Sequence, residues 1–331
     1  MDEVALRAGV SPSTVSHVLN GTRHVNPETR ERVEQAVADL GYRRNTAART
    51  LAGGSSHTVG LAISGLTNPY FGPLLHAIER RVSESGYVLV LGDTHDETEM
   101  EQRVVDSLLD RRVDGLIVAP SAGFLRVSAP RIVEAGTPLV LIDRSIEFEC
   151  DQVIPENRRS VHALTEHLIE HGHERIAAII GISGLDSTAD RVAGYRAALE
   201  QHDLTLDESL IVQGDSNPET SEQVMAELLR RSEPPTAVIT LNNAMTIGAL
   251  RAVQRSGRTI PADLALAAYD DFEWSDLFQP GLTAIAQDVG RMGREAVDLL
   301  LRRIGGEDAP FERHVIDTTF HRRTSCGCPP R

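Results

Sequence analysis

The chain reads as two parts of unlike texture: a small all-α front piece of helix-turn-helix type, then a two-lobed α/β body whose parallel sheets are covered by helices. Three observations predict this. Within the first 42 residues, helix-start and helix-stop residues recur around valines three or four positions apart. From His57 onward, short continuous apolar runs alternate with amphipathic helical stretches, the pattern of buried parallel strands and their crossover helices. Between the two, Gly53-Gly54-Ser55-Ser56 has the composition of a flexible linker. The expected boundaries are residues 1–44 for the helical piece, 45–56 for a hinge segment and linker, and 57–331 for the body.

Asp2 to Ala8 forms a first helix closed by Gly9. Ser11 caps a second, which has Pro12 at its first position and stops at Asn20-Gly21. Asn26 caps a third, again with Pro27 in first position, and Val33, Val37 and Leu40 form its buried stripe before Gly41 ends it. Val4, Ala5, Val10, Val15 and Val18 are the expected core of this piece. Two helices joined by a tight glycine-containing turn and braced by a third make the helix-turn-helix arrangement. Asn45 to Ala52 predicts a further helix of about two turns, which nucleation cost makes marginal unless something packs against it.

In the body, "TVGLAIS", "YVLVLGD", "DGLIVAP", "PLVLID", "RIAAIIG", "LIVQG", "AVITL" and "LALAAYD" are the predicted strands. Pro73 to Ser85, Glu99 to Arg111, Arg158 to His171 and Thr220 to Arg231 are predicted helices between them. Eight such strands over about 270 residues exceed one comfortable sheet, so two similar lobes are the expected solution. Ligands of such folds lie beyond the carboxyl ends of the strands, here in the cleft.

The formal net charge of −15 divides unevenly: through Gly54, seven Arg face six acids, a balance of +1, and the remainder carries −16. A polyanion is repelled by the large part and tolerated by the small one, so any nucleic-acid contact belongs to the front piece. The chain has no lysine, which leaves phosphate contacts to Arg, backbone amides and hydroxyls. No apolar run approaches the roughly 18 residues of a membrane span, and no basic-then-apolar leader is present. A cytoplasmic protein without membrane contact is expected. Cys150, Cys326 and Cys328 are odd in number, and the close pair lacks a C-x-x-C spacing; no structural disulfide, zinc or other cofactor is expected.

Over essentially its whole length the chain resembles the lac-repressor family of bacterial transcription regulators. The family pattern is met by Glu3-Val4-Ala5, Ala8-Gly9-Val10-Ser11, Thr14-Val15-Ser16, Val18-Leu19-Asn20, Val25, Thr29-Arg30, Val33, Ala36 and Leu40-Gly41-Tyr42. Its hinge pattern follows as Asn45, Ala48-Arg49 and Leu51-Ala52. The resemblance implies a helix-turn-helix headpiece on a periplasmic-binding-protein-like (type I) effector domain, and a homodimer that binds palindromic double-stranded operator DNA. The DNA-facing set it implies is Ser11, Pro12, Ser13, Thr14, Ser16, His17, Asn20, Arg30, Asn45, Ala48 and Leu51. Within it Ser13 and His17 read base edges, Thr14, Ser16 and Asn20 hold phosphates, and Leu51 wedges into the minor groove between paired hinge helices. Where the family usually carries a Thr that caps the first helix, the chain begins at Met1, so a start a few residues upstream is expected.

For the body, the resemblance to sugar-binding periplasmic proteins carries over Asn68, Tyr70, Phe71, Asp143, Arg144, Arg191, Asn242, Asp270 and Gln287. Trp274 joins them as a third candidate cover for a sugar ring, beside Tyr70 and Phe71. Carboxylates and amides pair with sugar hydroxyls, Arg clamps from the sides, and an aromatic ring covers the apolar face. Asn242-Asn243 stands where the family commonly shows Asn-Asp, so one carboxylate is missing. Arg291 to Leu301 is a candidate for the dimer interface.

Two other functions fit parts of the sequence. "TEHLIEHGHERI" gathers His167, His171 and His173, but it is not H-E-x-x-H and reads as a helix-to-strand corner, not a metal site. No G-x-S-x-G, P-loop or G-x-G-x-x-G accompanies it, so no enzyme is expected. A sugar carrier for transport fits the two lobes but not the front piece. A repressor released by a sugar-like effector is the leading expectation, and a corepressor-dependent repressor or activator responding to a non-sugar metabolite the runner-up. The terminal "HRRTSCGCPPR" reads as a frayed tail without a role.

Overall fold

A computed structural model describes residues 1–20, 23–42, 55–66, 68–277 and 279–329. The chain divides into two compact units, Met1–Ser56 and His57–Arg331.

The first unit holds α1 (Asp2–Ala8), α2 (Pro12–Asn20) and α3 (Pro27–Asp39). Gly9 ends α1 in the left-handed region at φ 64° and returns its N–H to Ala5 and Leu6, a conformation that costs a residue with a Cβ. Ser11 Oγ accepts from the Thr14 amide at 3.2 Å, and Asn26 Oδ1 from the Glu28 amide at 3.0 Å, so both predicted caps form. Val4, Ala5, Ala8, Val15, Val18, Val33 and Ala36 make the core, with Val10 and Val37 packed at its margin. Leu40 departs from the expected stripe: it is 43% exposed, because α3 ends at Asp39 and the face it would continue is filled by Ala36. Met1 occupies the N-cap of α1 with no side-chain hydrogen bond.

The second unit is built on two six-stranded sheets. Its elements are β1 (Thr58–Ile63), α4 (Phe71–Glu84), β2 (Val88–Asp93), α5 (Thr98–Asp110), β3 (Gly115–Val118), α6 (Phe124–Ala135), β4 (Leu139–Ile142) and β5 (Asp151–Pro155). Then come α7 (Arg158–Glu170), β6 (Ile176–Ile180), α8 (Asp186–Gln201), β7 (Ile211–Gln213), α9 (Pro218–Arg230), β8 (Ala237–Thr240), α10 (Asn243–Ser256), β9 (Ala265–Tyr269) and β10 (Thr283–Gln287). The chain closes with α11 (Val289–Ile304), β11 (Arg313–Ile316) and β12 (Thr318–His321).

One sheet runs β11-β5-β4-β3-β1-β2 and the other β12-β10-β9-β8-β6-β7. All pairings are parallel except β10 with β12. The backbone passes between lobes three times, after β5, after β10 and between β11 and β12. After the second passage α11 packs on α4, β3, β4 and β5, returning the chain to the first lobe. Met292, Ala296, Val297, Leu299 and Leu300 of α11 are buried there, so the apolar face of the segment expected at a dimer interface is used inside its own lobe.

The eight predicted strands are β1, β2, β3, β4, β6, β7, β8 and β9. Coverage of both sheet faces fails at one edge, where Val88 of β2 is 63% exposed. The tail also differs from expectation. Thr318–His321 forms an edge strand, Ser325 and Cys326 are buried, and the Leu266 amide donates to Ser325 O at 2.8 Å. A frayed end is excluded for residues up to Cys326.

Candidate functional site

Between the lobes, side chains from the carboxyl ends of both sheets converge on one small cavity of about 40 Å³. That space holds a few waters, so a larger molecule enters only if the lobes part. The first lobe contributes Asn68, Tyr70 and Phe71 from the loop and first turn between β1 and α4, and Asp143-Arg144 after β4. The second contributes Arg191 from α8, Asn242 after β8 and Asp270 after β9, and Gln287 lies at the second crossing. Nine of the ten predicted residues therefore line one space. Trp274 does not join them. It stacks on Phe272 at 4.3 Å and lines a neighbouring groove that shares Tyr70, Asp270 and Gln287, because the loop after β9 turns its ring outward to 41% exposure.

A hydrogen-bonded chain joins the walls. The Tyr70 hydroxyl donates to Asp143 Oδ1 at 2.8 Å and lies 3.1 Å from Gln287 Oε1. Gln287 Nε2 in turn donates to Asp270 Oδ1 at 2.6 Å. Asp143 and Asp270 both sit in the left-handed region, at φ 71° and 77°, strain of a kind that concentrates at binding sites. Burial pushes the Asp270 carboxyl up, and Arg191 offsets only part of that. Burial and the Asp143 charge push the Tyr70 phenol up, so Tyr70 stays a neutral donor.

The cations are held firmly. Arg191 Nε donates to Asn157 Oδ1 at 2.7 Å and Nη1 to Leu241 O at 2.6 Å, and the guanidinium lies 3.8 Å from the centroid of the Tyr269 ring. Arg144 donates to Asp96, to Pro120 O at 3.2 Å and to Ser64 Oγ at 3.2 Å. Burial opposes its charge, but Asp96 and Asp143 outweigh that and raise its pKa. Asn242 caps α10 through the Met245 amide at 3.0 Å while its Nδ2 donates to Ser216 Oγ at 2.8 Å. Asn243 is buried, and its Oδ1 has no hydrogen-bond partner among the described residues.

The sequence reading missed Ser187, Thr188 and Ser216, which line the same cavity. Ser216 is equivalent to Asp96 of the other lobe: Gln213 and Asp93 end the corresponding strands, and Asp215-Ser216 and His95-Asp96 both take positive φ two and three residues on.

In the first unit, α2 turns Val15 and Val18 inward and leaves Pro12 and Ser13 exposed, with Thr14, Ser16 and His17 half-buried. Ser11, Ser13 and Thr14 form a hydroxyl cluster, with Ser11 Oγ 2.8 Å from Ser13 Oγ and 2.9 Å from Thr14 Oγ1. Arg30 is exposed on α3. Asn20 closes α2; Asn45, Ala48 and Leu51 lie outside the described residues.

A helix-turn-helix unit carried on one chain with a two-lobed polar cleft defines the class of ligand-responsive DNA-binding proteins. Comparison with known families narrows this. Residues 1–45 match the family described as bacterial regulatory proteins, lacI family, and residues 165–326 match a periplasmic binding protein-like domain. The HTH-type transcriptional repressor PurR of Vibrio atlanticus is 33% identical over 318 residues, 95% of this chain and 94% of that protein. Its namesake in Haemophilus influenzae is 34% identical over 319 residues, 96% and 95% of the two chains. Among solved structures, the lac repressor dimer bound to operator and the anti-inducer ONPF is similar at a TM-score of 0.83 and 31% identity, covering 98% of this chain and 97% of that one. The regulator CelR in complex with cellobiose is similar at 0.73 and 32%, covering 98% of each. The chain belongs to the lacI family of bacterial regulatory proteins and is a DNA-binding transcriptional regulator. No helix among its described residues is long and apolar enough to cross a membrane.

Proposed function

We propose that this regulator is a cytoplasmic, non-enzymatic repressor that holds a palindromic operator as a homodimer and releases it when a sugar-like effector occupies the cleft. The observation that carries the effector class is the make-up of the two walls. Asp143 and Asp270 face the space from opposite lobes, with Arg191, Asn242 and the hydroxyls of Ser187, Thr188 and Ser216 around them. Such a set accepts and donates many directional hydrogen bonds, as a polyol requires. Aromatic cover comes from one side, through Tyr70 and Phe71, whose rings meet edge-on at 5.0 Å and 77°. That pair also supports the second reading, a flat nucleobase-like corepressor stacked on one face.

In this reading residues 1–44 grip DNA, with Ser13 and His17 on base edges and Thr14, Ser16, Asn20 and Arg30 around them. Residues 45–56 supply a hinge that pairs with its twin, with Leu51 entering the minor groove. Residues 57–331 sense the ligand. Effector binding shifts the population of lobe arrangements, and coupling of about 1–3 kcal/mol lowers operator affinity some 5- to 150-fold.

The test is a gel shift on the upstream region of its own gene, with a thermal-shift screen of sugars, sugar phosphates and nucleobases to find the ligand. Retardation at an inverted repeat that a sugar reverses supports the reading; tightening by a nucleobase moves it to the second. No preference for any inverted repeat over random duplex overturns it. Leu51→Ser is expected to abolish operator retardation while leaving the ligand-induced rise in Tm unchanged, and unaltered operator affinity removes the wedge role.

A further inference from the structure

On the far side of the second lobe from the cleft, the tail folds back beneath the N-terminal ends of β9 and β10. Ser325 ties it to both strands, receiving the Thr283 amide at 2.8 Å and donating to Leu266 O at 2.6 Å. This brings Cys326 and Cys328 against the last turn of α7, where His167 and His171 lie one turn apart and so share a face. His167 Nε2 is 3.3 Å from the Sγ of both cysteines. His171 Nε2 is 3.1 Å from Cys328 Sγ, and the two sulfurs are 3.0 Å apart.

We propose that His167, His171, Cys326 and Cys328 form a tetrahedral site for a thiophilic divalent cation of the Zn²⁺ class. Two imidazoles and two thiolates are a preferred zinc donor set. The tautomer suits it. His171 Nδ1 donates to His167 O at 2.7 Å, which strips the proton from Nε2 and aims its lone pair at Cys328, the outer hydrogen bond that metal-bound histidines usually carry. His167 is 3% exposed and its Nδ1 has no partner among the described residues, so Nε2 is the atom it offers. Loss of both thiol protons accompanies metal uptake. With Zn–S near 2.3 Å and Zn–N near 2.0–2.1 Å, tetrahedral donors sit about 3.6–3.8 Å apart. His167 Nε2 to both sulfurs, His171 Nε2 to Cys328 Sγ and the two sulfurs to each other are already closer than that; His167, His171 and Cys328 gather their donor atoms within 4.8 Å of one another, and Cys326, beside two of the three, completes the set by a shift toward His171. The expectation of no zinc took the cysteine pair and the histidine cluster separately, each by its own local spacing; the two halves lie about 160 residues apart in sequence and only the fold brings them together.

Such a cation pins the end of β12 to α7, steadying the third crossing between the lobes. The test uses the full-length protein, purified under reductant, treated with chelator and reloaded with Zn²⁺ or Co²⁺. One zinc per chain is expected, with a Co²⁺ spectrum showing thiolate charge transfer and a higher Tm than the stripped protein. Cys328→Ser and His171→Ala lie at the accessible side and are expected to keep the far-UV circular dichroism while losing at least tenfold in zinc affinity and the Co²⁺ charge-transfer band. Uptake below a tenth of an equivalent by the wild-type chain overturns the proposal. So does undiminished uptake by both variants, or a thiol count showing Cys326 and Cys328 joined in a disulfide after reloading.

Discussion

The two lobes of the second unit share one plan and differ in charge. Strand orders β5-β4-β3-β1-β2 and β10-β9-β8-β6-β7 superimpose as a repeat. The fourth strand of each ends in an aspartate at positive φ, Asp143 and Asp270. The second strand of each enters a turn of two left-handed residues, His95-Asp96 and Asp215-Ser216. The residue after each aspartate then breaks the symmetry: Arg144 in one lobe, Asp271 in the other. Arg144 is paired with Asp96 and Asp143, whereas Asp271 is paired from outside by Arg323 at 2.7 Å. Backbone geometry thus fixes where a carboxylate stands, while its neighbours decide what state it holds.

Removing the cations tests that division, and Arg144→Ala gives the largest expected effect. It leaves two carboxylates in a buried site without a counter-charge, a loss of about 3–5 kcal/mol. Arg323→Ala strands one, Asp271, and costs less. Urea melts of the two variants check the ranking, and equal losses would show that the lobes handle charge alike.

Arg191→Ala comes next and probes ligand rather than fold. Its guanidinium spans Asn157 at the first crossing and Leu241 in the second lobe, so it reports lobe geometry to the cleft. About 2–3 kcal/mol of effector binding, roughly 30- to 150-fold, is expected to go with the charge-assisted hydrogen bonds. Calorimetry with the effector found by the thermal screen reads it. Operator retention by the unliganded variant separates the loss from unfolding.

Much of this plan was legible in the residues. Caps wrote the helix starts at Ser11-Pro12 and Asn26-Pro27, and continuous apolar runs wrote the central strands, because a strand buried on both faces has no polar side to show. β5 was missed because it opens on Asp151, a fully buried carboxylate that a local reading places on a surface; Arg303, at 2.7 Å and far along the chain, neutralises it. β11 and β12 were missed because short edge strands such as "RHVI" and "TTFH" carry too few apolar residues to register. The cleft residues were found through family resemblance, not spacing: what unites Tyr70, Asp143, Arg191 and Gln287 is the pairing of two sheets, which no local window contains. Trp274 was a misjudgement of the same origin, since its ring direction depends on a loop and not on a strand.

The finest contrast between the lobes is in pH. Burial raises Asp270 with only partial relief from Arg191. For Asp96 burial also acts upward, but the charge and hydrogen bond of Arg144 outweigh it and hold the carboxyl below its ordinary value. The signs are opposite. Native Asp270 binds its proton more tightly than the unfolded chain, so its ionisation removes stability as pH rises from about 3.9 through the raised value. Native Asp96 binds its proton less tightly, so it contributes stability above about 3.9 that is lost as pH falls through the lowered value. At neutral pH Asp270→Asn is therefore expected to raise stability and Asp96→Asn to lower it. Both differences shrink toward zero in acid, where wild-type carboxyls are protonated too. Denaturant melts of the three proteins from about pH 2 to pH 8 measure this. Shifts of the same sign in both variants would mean that the local partners, and with them the asymmetry between the lobes, do not set the state of the cleft.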